Sequence, residues 1–138
     1  INKTDINDNK NQFKTKLDTL IDLVKNNINS KSRFLIFSEY SFSKISYGFE
    51  KNNINYSLLQ GRVEHQQKIL QDYKNGKIQI LLLNAKHFGA GLDLQMTTDI
   101  IIFHRMSIEL ERQIIGRGQR LGRTSKLNVS YLCYENEV

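Results

Sequence analysis

Ile78-Gln79-Ile80-Leu81-Leu82-Leu83-Asn84-Ala85-Lys86-His87-Phe88-Gly89-Ala90-Gly91-Leu92-Asp93-Leu94-Gln95-Met96-Thr97-Thr98-Asp99-Ile100-Ile101-Ile102-Phe103 is the stretch whose reading decides the fold. It holds two short aliphatic runs, 78–83 and 99–103, separated by a polar segment broken at Gly89-Ala90-Gly91. Runs this short, bounded by breakers, read as strands buried on both faces. Working upstream, Arg33-Phe34-Leu35-Ile36-Phe37-Ser38 has the same character, and Asn55 to Gln60 reads as a further strand stopped by Gly61. Between them lie segments with helical spacing. Phe13, Leu17, Leu20, Ile21, Val24 and Ile28 mark one helix, ended by Asn29-Ser30-Lys31-Ser32. A second covers about 42–51, and a third, Glu64 to Tyr73, closes at Asn75-Gly76. Downstream, a helix covers about 108–121. A fifth strand, Leu127 to Tyr134, alternates Leu127, Val129 and Tyr131 and is given an edge place.

Strands alternating with helices imply an α/β fold of three layers, α/β/α, with a mostly parallel central sheet of about five to six strands. Residues 1 to about 11 are polar and without periodicity, so they read as a flexible end or linker remnant. The chain is read as one domain over 1–138 and, since it begins with Ile1 rather than Met, as a piece of a longer protein. No repeat or low-complexity segment is present.

Composition narrows the classes. A hydrophobic share of 39% and a charged share of 25% suit a globular domain with a real core. No apolar run approaches the roughly 18 residues of a membrane span, and no secretory signal is visible. The single cysteine, Cys133, rules out a disulfide within the chain and fits a reducing intracellular setting. The net charge of +6 favours a polyanionic partner. The excess is local: from Arg105 to Lys126 there are six basic residues against two acids, Glu109 and Glu111.

At the centre of that basic region lies Gln113-Ile114-Ile115-Gly116-Arg117-Gly118-Gln119-Arg120. Gln113, Arg117 and Arg120 stand at offsets i, i+4 and i+7, which stack side chains on one side of a helix. Two arginines so placed form a fork of permanently charged donors suited to phosphate. Each neighbouring glycine costs a helix roughly 1 kcal/mol relative to alanine, so their presence points to close approach by another body. A solvated basic face is the plainer alternative. Against it, Leu110, Ile114 and Leu121 fall within about 40° of one another as a core stripe. Arg117 lies between that stripe and Gln113 and Arg120, at the rim of the core.

In parallel sheets ligands bind at the carboxyl ends of the strands. Those ends here are Ser38-Glu39, Gly61-Arg62, Asn84-Ala85-Lys86 and His104-Arg105. After the third strand, Gly89 and Gly91 free backbone amides to approach an anion, and Asp93 could accept from ribose hydroxyls or hold an arginine. The scattered His65, His87 and His104 have no metal-ligand spacing. There is no GxxxxGK[ST] loop and no acidic metal box, so this piece cannot hold Mg-ATP by those means.

These residues resemble the second RecA-like lobe, or helicase C-terminal domain, of superfamily-two helicases, with strongest similarity to Swi/Snf-type ATP-dependent DNA translocases. The resemblance runs from about Lys16 to Tyr134. Phe37-Ser38-Glu39-Tyr40 is similar to motif IV, Leu58-Leu59-Gln60-Gly61 to the segment after it, Asn84 to Leu94 to motif V, and Gln113 to Arg120 to motif VI. The stretch from Gly89 to Met106 also resembles helicases of large DNA viruses. The Swi/Snf pattern is departed from at His87-Phe88, Asp93 and His104-Arg105.

The resemblance implies roles. Arg117 and Arg120 match arginine fingers that reach ATP bound, with Mg2+, mainly on the first lobe of the same polypeptide. Such fingers are worth about 10³–10⁵ in rate. Gln113, Gly91 and Asp93 match positions that meet the nucleotide or couple to it. Ser38, Gly61, Arg62, Asn84, Ala85 and Lys86 match the nucleic-acid side, with DNA favoured over RNA. An RNA helicase lobe, and a non-catalytic nucleic-acid-binding or scaffold domain of the same descent, remain as alternatives.

Overall fold

Short aliphatic runs become strands here, and the amphipathic segments between them become helices. The computed structural model of the chain describes residues 2–6, 15–38, 41–84, 96–104, 107–118 and 127–134. In order the elements are β1 (Asn2–Ile6), α1 (Lys16–Asn27), β2 (Phe34–Ser38), α2 (Ser43–Lys51) and β3 (Ser57–Leu58). They continue with α3 (Val63–Asn75), β4 (Ile80–Asn84), β5 (Asp99–Ile102), α4 (Ile108–Gly118) and β6 (Asn128–Tyr134). The strands form one sheet in the order β1-β6-β5-β2-β4-β3, and every neighbouring pair is parallel.

The strand pattern explains the layers. Alternate residues of a strand face opposite ways. Leu35, Phe37, Leu81, Leu83, Ile100 and Ile102 pack on one face with Ile69 and Tyr73 of α3 and Ile114 of α4. Phe34, Ile36, Ile80, Leu82 and Ile101 pack on the other with Leu20, Ile21 and Val24 of α1 and Ile45 and Phe49 of α2. With apolar layers on both sides, β2 is buried at every position and β4 at all but its last. That is why these strands read as continuous apolar runs rather than alternating ones.

Local chemistry sets the helix ends. The Thr15 hydroxyl accepts from the Asp18 amide at 3.1 Å, and the Asp18 carboxylate accepts from the Thr15 amide at 3.2 Å. This reciprocal box satisfies two donors that a helix start leaves open. α3 stops at Gly76, whose φ of 89° is left-handed. A side chain there would be strained by the backbone and would also run into the Arg33 guanidinium.

Three expectations are corrected. Asn2–Ile6 of the supposedly irregular terminus forms β1, parallel to β6. Strand pairing uses backbone groups, so a polar segment can supply it. β6 therefore lies between β1 and β5 rather than at an edge. Residues 7–11 lie outside the described residues. The strand expected over Asn55 to Gln60 shortens to Ser57–Leu58, since Asn53 turns at φ 58° and the Ile54 amide is still bonded to Phe49 O at 2.8 Å.

Candidate functional site

Because all strand pairs are parallel, the carboxyl ends of the strands share one edge. At its centre Ser38 ends β2 directly opposite Asn84, which ends β4. Ser38 is 2% exposed, whereas Asn84 is half-buried. On the outer side of β4, the Leu59 amide is bonded to Leu82 O at 3.0 Å, and Gly61 then turns the chain into α3 at φ 92°. Gln66 Nε2 closes that turn on Gly61 O at 2.7 Å. Gly61 and Arg62 are exposed, and Arg62 is the N-cap of α3 without spending its side chain on the cap. On the other side, Phe103 and His104 leave β5 half-buried. Ser38, Asn84, Gly61, Arg62 and His104 are thus brought to one edge, where the exposed cationic side chain of Arg62 shares that edge with the hydroxyl of Ser38 and the amide of Asn84.

The motif VI residues are placed differently. β5 and β6 are parallel neighbours, so the chain between them must return from the carboxyl edge to the amino edge. α4 is the described part of that return. Its start is fixed by Ser107, whose hydroxyl accepts from the Leu110 amide at 3.2 Å, and by Glu109 and Glu111 in the first turn, which suit its dipole. Ile114 is buried and Leu110 and Ile115 pack beside it, so α4 lies on the sheet by Leu110 and Ile114 of the expected stripe, with Ile115 added. Gln113 is exposed. Arg117 is in the last turn, about 14 Å along the axis from Ile108 at 1.5 Å per residue. Gln113 and Arg117 are thus carried by α4, on the return from the carboxyl edge, and not by the strand ends themselves.

Several candidates fall outside the described residues: Ala85, Lys86, Gly91, Asp93, Arg120 and the stripe residue Leu121. So do the side chains of Arg117 and Cys133, including the expected rim position of Arg117. Among the described residues no three His, Cys, Asp or Glu come together as a metal site, and no helix is long and apolar enough to cross a membrane.

One charged residue near the edge escaped the sequence reading. Lys16, 8% exposed, holds its ammonium 5.6 Å from the centroid of the Phe103 ring, just beyond the end of β5. Cation–ring attraction and burial of its stem fit such a place. The signal was available: Lys16, Leu20 and Val24 follow at four-residue steps on the buried face of α1.

A three-layer fold on a parallel sheet, motif-like segments at the strand ends and an arginine-bearing helix on the return define one class of protein. Residues 15–123 match the helicase conserved C-terminal domain, and the chain belongs to that family. The chain is 44% identical over 115 residues to the "Putative helicase R592" of Acanthamoeba polyphaga mimivirus. That similarity covers 82% of this chain and 13% of the viral protein, so the chain spans a small part of the length of that relative. Among solved structures, the C-terminal part of the Fun30 ATPase domain superposes with a TM-score of 0.75 and 25% identity, over 88% of this chain and 41% of that one. The Pyrococcus furiosus Hef helicase domain gives 0.69 and 21%, over 88% of this chain and 25% of that one, a likeness of fold.

Proposed function

We propose that this domain is the second motor lobe of an ATP-dependent nucleic-acid helicase or translocase, completed by a first RecA-like lobe of the same polypeptide. The observation that carries the reading is that Ser38, Asn84 and Arg62 sit at the carboxyl edge of the sheet while Gln113 sits on the return helix α4. The carboxyl edge, with Ser38 opposite Asn84 and Arg62 alongside, suits a nucleic-acid backbone. The exposed Gln113 and the arginine of the next turn lie on α4, which leads away from that edge. A motor needs this division, because one lobe must answer to a strand and to a nucleotide at once.

In this account Ser38, Gly61, Arg62, Asn84, Ala85 and Lys86 hold phosphates of the strand. Neutral donors and one or two cations suit a grip that must release at each step. Arg117 and Arg120 reach the phosphates of ATP on the first lobe and stabilise the charge that develops as the terminal phosphoryl group leaves. Gln113 supports that contact, and Gly91 and Asp93 meet the nucleotide from motif V. ATP and Mg2+ are held mainly by the first lobe, which supplies the metal's charge neutralisation; this lobe adds fixed positive charge and closes the cleft. Opening and closing move the strand. DNA is the favoured substrate, on the Swi/Snf-like motif pattern.

ATP turnover by the full-length protein, measured with duplex DNA, single-stranded DNA and RNA, tests the reading. Stimulation by DNA above RNA is the expected result. Turnover indifferent to every nucleic acid would contradict it.

A further inference from the structure

At the amino edge of the sheet, Asp99 opens β5 and Asn128 opens β6, opposite one another in register. Asn128 Nδ2 donates to Asp99 Oδ1 at 3.2 Å, and Thr98 Oγ1 donates to Asp99 Oδ2 at 2.8 Å. The carboxylate thus accepts on both oxygens in a half-buried setting, where hydrogen bonds to a charged group are strong. The backbone repeats the link, with the Asn128 amide bonded to Thr98 O at 3.0 Å.

The cluster extends to two more elements. The Arg33 amide, just before β2, donates to Thr98 Oγ1 at 2.9 Å, and the Thr98 and Asp99 amides donate to Arg33 O at 2.9 and 3.1 Å. Arg33 Nε then reaches Tyr73 O in α3 at 3.0 Å, and the Tyr73 hydroxyl shares a buried hydrogen bond of 2.8 Å with Thr97. Four elements therefore converge on residues 97–99.

Both connections that carry the proposed nucleotide-facing residues run into this cluster. Gly91 and Asp93 precede Asp99 by eight and six residues, and Arg117 and Arg120 precede Asn128 by eleven and eight. We propose that Asp99 and Asn128 are positioning residues: their side-chain pair clamps the landing points of the two connections, so that motif V and motif VI face the nucleotide in one fixed relation. This rests on the reading of the lobe given above. Small displacements of groups that act on a reacting phosphate are costly, even when the cause lies elsewhere.

The test is a kinetic cycle in the full-length protein. Asn128→Ala and Asp99→Ala should each lower kcat for nucleic-acid-stimulated ATP hydrolysis about 10- to 100-fold, leaving KM for ATP and nucleic-acid affinity nearly unchanged. The exchange Asp99→Asn with Asn128→Asp restores a donor–acceptor pair of reversed sense and should recover kcat to within about threefold of wild type. Single variants with wild-type kcat, or an exchange no better than the singles, would overturn the clamp. So would an equal loss of kcat in Ile36→Val, a core change chosen to lower stability without touching the cluster. A wild type that hydrolyses no ATP, or an Arg117→Ala variant with wild-type turnover, would instead remove the underlying reading, and the clamp with it.

Discussion

Ser38 and Asn84 end adjacent parallel strands at the same level, so a buried hydroxyl and a half-buried amide stand side by side on the carboxyl edge. They are 46 residues apart in the chain, and the sheet alone makes them neighbours. In the proposed grip these two neutral groups face a phosphate without adding net charge. The nearby exposed cation, Arg62, can then be separated from them by experiment.

Arg62→Ala should weaken nucleic-acid binding across sequences and reduce the slope of log affinity against log salt by about 1. α3 should survive, because the Arg62 side chain makes no capping bond. Binding isotherms at several salt concentrations check this; an unchanged slope would take Arg62 off the phosphate path.

Tyr73→Phe removes the buried hydroxyl bonded to Thr97 while keeping the ring in the core. A loss of about 1 kcal/mol is expected. It would show in urea unfolding as a lower midpoint at unchanged slope. No change in midpoint would mean that the bond contributes nothing net.

Gly76→Ala forces a left-handed backbone onto a residue with a Cβ and displaces the Arg33 guanidinium. A cost of about 1–2 kcal/mol is expected. Gly61→Ala, at a similar φ but with only ordinary contact to His65, tests how much of that cost comes from Arg33. Equal losses in the two variants would assign all of it to the backbone.

The strands β2, β4 and β5 were legible because burial on both faces leaves an unbroken apolar run. β1 was not, since Asn2-Lys3-Thr4-Asp5-Ile6 joins the sheet through backbone pairing and carries no apolar pattern. The strand ends at Ser38 and Asn84 followed from the ends of their runs. Their facing register did not, because strand order is not written locally. The Asp99–Asn128 pair was hidden for the same reason: its partners are 29 residues apart and each reads as a turn residue before a strand. Lys16 was not legible by residue type, because lysine is ordinarily solvent-facing, and only its four-residue spacing from Leu20 and Val24 places it on the buried face of α1.

The central claim is that this lobe supplies arginine to a nucleotide held by another lobe. It is tested most directly by ATP turnover of full-length protein carrying Arg117→Ala, at saturating ATP and nucleic acid. The account predicts a fall of about 10³-fold or more, with nucleic-acid affinity in the absence of nucleotide unchanged. Turnover equal to that of the wild type would contradict it.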